Sequence, residues 1–377
     1  MNTFGSKFRL TTYGESHGPA VGGIIDGCPA NVCLDMDAIR ADLDRRRAGA
    51  PRQEEDEIEW LSGLKNNMTL GTPIAFCIRN KYARPDDYDL LSDCYRPGHA
   101  DYTYEKKYGL RDHRGGGRAS ARETVARVVA GAIAKQLLAP IEIHATASTQ
   151  TIEQTDNQAI ANDTVGGIVS CRITGLPAGV GDPVFGKLNA ALASAMMSIP
   201  SAIGFEMGIG FQAAQMTGSQ YIDRWNECFA PLRSQAVSPL EPGRNASMPD
   251  CLSKDAPATQ TILPDRKGTA LSTAEIKTNQ AKKQSNNQTI TKTNHCGGIQ
   301  GGISNGMPVE FRVAFHPVAT LPQPVECLTA DGTLKTLQVK GRHDRCHVPR
   351  AAVVVEAMAA LTIINLICST SVAGQIN

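Results

Sequence analysis

Apolar residues recur along this chain in two rhythms, and the changes of rhythm mark its elements. Phe8 and Leu10, then Val21, Ile24 and Ile25, lie in short apolar stretches separated by the turn-forming segment GESHG at 14–18. This pattern predicts strands over 7–13 and 20–26. Asp35 next precedes Met36, Ile39 and Leu43, which share a face at helical spacing, and Gly49 and Pro51 follow Arg45, Arg46 and Arg47. The succession predicts a helix capped by Asp35 and ended by the glycine and proline. Ser120 and Glu123 have the spacing of a capping box, after which Val125, Val128, Val129, Ala132 and Ile133 repeat helically until Pro140. A helix apolar on several faces, and therefore buried, is expected there.

Residues 164–175 (TVGGIVSCRITG) and the later PVEFRVAF read as strands, and PVFGKLNAALASAMMSIP as a helix ending at Pro200. The stretch AAVVVEAMAALTIINLICS is apolar for long enough to resemble a membrane span, but Glu356 within it favours a core helix following Pro349. Residues 223–293 are rich in Ser, Thr, Asn, Gln, Lys and Pro and include KKQSNNQTITKTN. They read as a mobile polar insertion within one domain covering 1–377. Strands and helices mix without a regular βαβ repeat, so the expected fold class is α/β or α+β, arranged as a sandwich.

Composition narrows the function. A chain of 377 residues, 41% hydrophobic, can bury a large core. Its 38 Lys+Arg balance 37 Asp+Glu, which argues against a polyanion-coating protein. Aromatic residues are 5% of the chain and do not interleave with the arginines, so a stacking platform for nucleic acid is not supported. Eleven scattered cysteines with no Cys-x-x-Cys pair fit reduced thiols. The N-terminal MNTFGSKFRLTTYGESHG lacks the apolar run of a signal peptide, so a cytoplasmic protein with no membrane partner is expected.

Against this neutral background the local arginines become informative. GLRDHRGGGRASARET sets Arg111, Arg114, Arg118 and Arg122 around Gly115, Gly116 and Gly117, immediately before the expected helix. A glycine turn, unpaired backbone N–H groups and forked guanidinium donors together suit phosphate or carboxylate. DRRRAGAPR at 44–52 is a second arginine cluster. Its position at a helix C-terminus has a simple dipole explanation, but two clusters together suggest a ligand with several anionic groups.

His17 and His99 lie in turn-rich segments and are candidates for proton transfer near neutral pH, although lone histidines are more often structural. Four further motifs mislead. GESHG fits a nucleophile elbow, yet Ser16 precedes Pro19 and a strand instead of a helix. GDPVFGKL has P-loop spacing but Leu188 where Ser or Thr should bind magnesium. HDRCH groups His343, Cys346 and His347 without a second ligand pair, so no metal is assigned. GGIQGG at 297–302 marks close backbone approach but no dinucleotide fingerprint.

Taken together, TTYGESHG, DLDRRRAG, YRPGHADYTYEKKYGLRDHRGGGRASARET, HCGGIQGGISNG and GRHDRC resemble, in order and approximate spacing, the chorismate synthase family. The likeness covers most of the chain outside 223–293. It implies a β-α-β sandwich with helices between antiparallel sheets, assembling as a homotetramer. The implied enzyme is a carbon–oxygen lyase of the shikimate pathway and aromatic amino-acid biosynthesis. It converts 5-enolpyruvylshikimate 3-phosphate to chorismate by anti-1,4-elimination, using reduced FMN without net redox change, with NADPH a candidate reductant.

By the same resemblance, His17 protonates the reduced flavin, His99 acts as an acid near the departing phosphate, and Asp344, with Ser16 and Ser120, assists the flavin in taking the substrate proton. Arg46 and Arg52 match positions that bind anionic ligands, including nicotinamide nucleotide phosphate. Flavin contacts are implied at Arg118, Ala119, Ser120, Pro200, Ser201, Gly301, His316, Pro317, Val318, Ala319, Thr320 and Arg342. The chain departs from the family pattern at Ala48, Ala119, Arg345 and His316, where a lysine is usual. A diverged homologue that binds flavin or phospho-ligands without turnover is the competing reading.

Overall fold

VEFRVAF buries Val309, Phe311, Val313 and Phe315 while the residues between them stay partly exposed, the period of two that gives a strand one apolar face. It pairs antiparallel with Gly167–Thr174, setting Val169 opposite Val313 and Cys171 opposite Phe311. These strands lie within a four-stranded sheet ordered Ala202–Met207, Val309–Phe315, Gly167–Thr174, Glu142–Ser148. A five-stranded antiparallel sheet runs Thr3–Phe4, Arg9–Gly14, Ala20–Asp26, Ile74–Arg79, Ile58–Trp60. Its buried side chains include Leu10, Val21, Ile25, Ile74, Phe76 and Ile78. The structure, a computed structural model, describes residues 1–149, 163–226, 290–321, 323–338 and 344–369.

Five principal helices follow: α1 (Met36–Arg47), α2 (Asp101–Tyr108), α3 (Thr124–Leu137), α4 (Leu188–Met197) and α5 (Val348–Ser369). α3 packs on Arg9–Gly14 and Ala20–Asp26 of one sheet and on α5, whereas α5 packs on Glu142–Ser148 and Gly167–Thr174 of the other. The helices therefore lie between the sheets, in the β-α-β sandwich that the resemblance implies. A smaller sheet joins Cys94–Tyr95, Val325–Thr329 and Leu334–Leu337.

The expected cap on α1 is present, with the Asp35 carboxylate accepting from the Ala38 amide at 3.0 Å. The capping box expected at Ser120 is absent. Two tight 3₁₀ turns, Gly117–Ala119 and Ala121–Glu123, precede α3, Ser120 accepts from the Arg122 amide, and the Glu123 carboxylate pairs with Arg127. α5 begins at Val348, with Pro349 inside its first turn, where a missing N–H costs nothing. Of its most apolar window, 78% is buried, so it is the core helix its glutamate suggests.

α3 and α5 meet at Gly131. A Cβ there would lie 2.3 Å from Ala357 Cβ and 2.4 Å from its Cα, inside any tolerable contact. Gly131→Ala must push the helices apart, and overpacking of this kind costs roughly 1–3 kcal/mol. Thermal unfolding of the variant should show a lowered midpoint; an unchanged midpoint would contradict this close approach.

The contacts separate a unit of Met1–Ile222 with Asn294–Ala373 from a second containing Asp223–Thr293. Within the second, Trp225 bridges antiparallel to Thr291, and Thr293 Oγ1 donates to Asp223 at 2.6 Å. The rest of the expected insertion, 227–289, lies outside the described residues.

Candidate active site

The GESHG turn connects the strands Arg9–Gly14 and Ala20–Asp26, so it is held at both ends by the five-stranded sheet. Asn80 fastens it further, its side-chain amide donating to the carbonyls of Glu15 and Gly18 at 3.0 and 2.8 Å. Arg52 Nη1 donates to Ser16 O at 2.8 Å. His17 presents its ring edge-on to Tyr88, centroids 4.7 Å apart, and Arg96 lies 5.8 Å from the other ring contact, the Tyr88 centroid. Gly115, at φ +78°, brings backbone against the same imidazole: a Cβ there would lie 2.6 Å from His17 Cδ2. One glycine of the arginine-rich motif thus allows the two loops to meet.

The turn opens into a cavity of about 680 Å³, within the range of small-ligand sites. Arginines from several elements reach its lining. Arg46, at the end of α1, donates to Thr124 Oγ1 at 3.0 Å and Ala121 O at 2.9 Å, and shares Asp56 with Arg122. Burial brings the Arg46 guanidinium down to about 10, partly opposed by Asp56. Arg52 pairs with buried Glu54. Arg96 makes a forked pair with Asp101 at 2.8 and 2.9 Å.

The four arginines of 109–124 do not converge, contrary to the expectation from their spacing. Arg111 donates to the carbonyls of Leu91 and Cys94 at 2.7 and 2.8 Å, and Arg114 pairs with Asp112. Arg118 reaches Gly14 O and Thr12 on the neighbouring strand. Only Arg111 and Arg122 of the four line the cavity. Successive guanidiniums fan out because the chain passes through left-handed Gly115 and Gly117 and then two 3₁₀ turns.

Three imidazoles, His99, His316 and His347, lie on the same lining as His17. His99 Nδ1 is 3.0 Å from Pro97 O, an acceptor only, so it carries the hydrogen, and Nε2 accepts from Thr320 Oγ1 at 3.0 Å. Burial, then the nearby Arg96, holds His99 below the ordinary imidazole range; burial, then His316, does the same to His347. Asp344 pairs with Arg350 in the first turn of α5.

These depressed histidines have a sign that can be checked. The unfolded chain takes up imidazole protons near pH 6.5. The folded chain takes them up only lower, so the stability that neutral His99 and His347 contribute is complete above that pH and lost as pH falls through it. Thermal midpoints should therefore fall between pH 7 and 5, less steeply in His347→Gln. Equal slopes for the two proteins would contradict the assignment.

Of the residues singled out in the sequence, His17, His99, Asp344, Arg46, Arg52, Ala119, Ser120, Pro200, Ser201, His316, Val318, Ala319 and Thr320 line the cavity. Ser16 is buried directly behind it. Arg118 and Pro317 are not on the lining, Arg118 reaching instead to Gly14 O, and Gly301 occupies the turn of the hairpin Ile299–Gln300/Ile303–Ser304. Arg342 lies outside the described residues. Sequence reasoning missed Tyr88, Arg96, Asp56, His347 and Arg350 as lining residues. Only RPGH and HDRCH carried any signal for two of them.

The lining suits a ligand that carries several anionic groups. Among the described residues, Ser16 Oγ, Arg122 Nη2 and His347 Nε2 are buried without a hydrogen-bond partner. A ligand rich in phosphate and carboxylate oxygens would satisfy them.

Comparison with known proteins agrees with this geometry. The chorismate synthase family model matches residues 8–162, 148–245 and 257–368. The chain is 42% identical to the chorismate synthase of Flavobacterium psychrophilum, covering 96% of this chain and 95% of that protein. It is likewise 42% identical to the chorismate synthase of Porphyromonas gingivalis, over 96% and 94%. A crystal structure of chorismate synthase superposes with a TM-score of 0.62 at 26% identity, covering 97% of this chain and 93% of that one. With near-complete coverage by sequence and by fold, the chain belongs to the chorismate synthase family.

Proposed function

We propose that the cavity carries out the family reaction, anti-1,4-elimination of phosphate and a proton from 5-enolpyruvylshikimate 3-phosphate to give chorismate. The observation that carries this reading is the convergence of His17, His99 and Asp344 on one cavity with Arg46, Arg52 and Arg122. The substrate's phosphate and two carboxylates match those guanidiniums, which bind and orient it. Reduced FMN, when bound, supplies an electron-rich centre that favours breaking the carbon–oxygen bond to phosphate. Ala119, Ser120 and the stretch 316–320 would hold it.

His17 keeps a proton at the cavity wall, fixed in direction by Tyr88 and by the Gly115 backbone. His99, oriented by Pro97 O and Thr320, faces the leaving phosphate and can receive or return a proton there. Asp344, paired with Arg350, would assist the flavin in taking the substrate proton, together with Ser16 and Ser120. Depressed arginine basicity changes none of this, since guanidinium stays charged near neutrality even at about 10. NADPH as the source of reducing equivalents, a homotetrameric assembly and a cytoplasmic setting complete the proposal; the nine free thiols among the described cysteines support the last.

Reduced-flavin dependence tests the reading. Purified protein under anaerobic conditions should form chorismate from 5-enolpyruvylshikimate 3-phosphate when FMN is reduced by dithionite. Turnover that is equal with oxidised FMN, or with none, would contradict it.

A further inference from the structure

Most of the cavity's fixed cations already have counter-charges. Arg46 and Arg122 share Asp56, Arg52 has Glu54, Arg96 has Asp101 and Arg350 has Asp344. His316 and His347 have no carboxylate partner among the described residues, yet both rings are on the lining and close enough to interact electrostatically. His316 commits Nδ1 to Pro317 O, which leaves Nε2 for a ligand. His347 Nε2 is buried without a hydrogen-bond partner, and its ring is fixed edge-on to Phe315 at 6.0 Å.

We infer that His316 and His347 form a proton-coupled binding site for a phosphate monoester, the imidazole pair taking up one proton as the phosphate enters. The inference rests on the proposed function only in taking the ligands to be FMN and 5-enolpyruvylshikimate 3-phosphate. A dianion beside two imidazoles stabilises the protonated form of one of them. Burial, then the neighbouring His316, holds His347 below the ordinary imidazole range while no ligand is bound. Besides His99, whose two ring nitrogens are taken by Pro97 O and Thr320, the other ionisable groups around it are Arg96 and Asp101, and Asp344, Arg350 and Arg46 near the start of α5. All five are already engaged in ion pairs, so the imidazoles are the groups whose charge a ligand changes at least cost.

Calorimetric titration of the full-length protein tests this. Binding enthalpies for FMN at pH 7.5, measured in buffers of different ionisation enthalpy, should reveal uptake approaching one proton. Affinity should accordingly fall about tenfold per pH unit above neutrality. Riboflavin, which lacks the phosphate, should bind without uptake. His316→Lys, which supplies a fixed charge, and the double variant with His347→Gln should bind FMN with little or no uptake and a flat pH dependence.

Parallel titration with 5-enolpyruvylshikimate 3-phosphate distinguishes the two phosphates, since only the one seated on this wall should bring in the proton. Buffer-independent enthalpies for both ligands would overturn the inference while leaving the proposed function intact. Undiminished uptake in the double variant would also overturn it, assigning the proton to His17 or His99. Failure of both ligands to bind at any pH would overturn this inference and the proposed function together.

Discussion

Replacing His17 by alanine is expected to lower chorismate formation by roughly 10²–10⁴-fold, the usual range for loss of a positioned acid or base. The imidazole has its place set from three sides, by the Asn80-clamped turn, the Tyr88 ring and the Gly115 backbone. A smaller side chain leaves those supports standing, so the variant should fold and bind its ligands while losing rate. The informative comparison is kcat against KM for 5-enolpyruvylshikimate 3-phosphate. A fall in kcat with KM nearly unchanged identifies an interaction made in the transition state. Normal turnover in His17→Ala would remove His17 from the mechanism, and a large rise in KM alone would make it a binding residue.

The second large effect lies in the core. Glu356 is buried in the middle of α5, where its carboxylate receives both Arg45 donors at 2.7 and 2.8 Å and the Ala145 amide at 3.0 Å, with Lys135 at 3.6 Å. It thereby ties α5 to α1, to α3 and to the edge strand Glu142–Ser148. Burial raises its pKa, but the Arg45 fork and the other donors outweigh that and hold the carboxyl below the usual range. Glu356→Ala removes the carboxylate and leaves Arg45 and Lys135 with Asp42 as their remaining counter-charge. Removing one partner of a buried pair costs about 3–5 kcal/mol, and the half-exposed Arg45 puts this case near 3.

For a chain of this size, at about 2 cal/mol/K of unfolding entropy per residue, that corresponds to a drop in thermal midpoint of roughly 4 °C. Glu356→Gln, which keeps the volume and can still accept from Ala145, should lose less. Because the folded carboxyl is depressed, its contribution is present above the unfolded glutamate value, near 4.3, and lost as pH falls below it. The midpoint difference between wild type and Glu356→Gln should therefore shrink as pH is lowered from about 6 towards 3. A difference that stays constant over that interval would contradict the pairing.

Glu356 also illustrates what the sequence could convey. A single acid in a mostly apolar stretch of nineteen residues distinguishes a core helix from a membrane span because hydrocarbon offers no partner, whereas a core can supply Arg45 and Lys135. Two strands of the four-stranded sheet were equally legible, since Val309, Phe311, Val313 and Phe315 recur at every second position and are buried; Glu142–Ser148 and Ala202–Met207 were not expected. Local capping was only partly legible. Asp35 caps α1 as its spacing suggests, but Ser120 serves a 3₁₀ turn instead of α3, because Glu123 is drawn to Arg127 and does not reach back.

The site was legible where a motif is short and rigid, and illegible where distant segments meet. His17 and His99 stood out as histidines in turns, and the resemblance added Asp344. The density of arginines at 111–122 was misleading, because spacing along an irregular loop says nothing about direction. Two of those four guanidiniums brace neighbouring segments away from the cavity. Asp56, Tyr88, Arg96, His347 and Arg350 gave little or no sequence signal of their own. Their roles arise from pairings with residues far along the chain, such as Asp56 with Arg122 and Tyr88 with His17, or from the way α5 enters the cavity.

The central claim is that this cavity eliminates phosphate and forms chorismate in a single reaction. The most direct measurement is an anaerobic time course with dithionite-reduced FMN in which inorganic phosphate and chorismate are quantified from the same samples. Equal amounts of the two products are expected at every time, both reduced together in His17→Ala. Phosphate released without chorismate would mean hydrolysis instead of elimination and would contradict it.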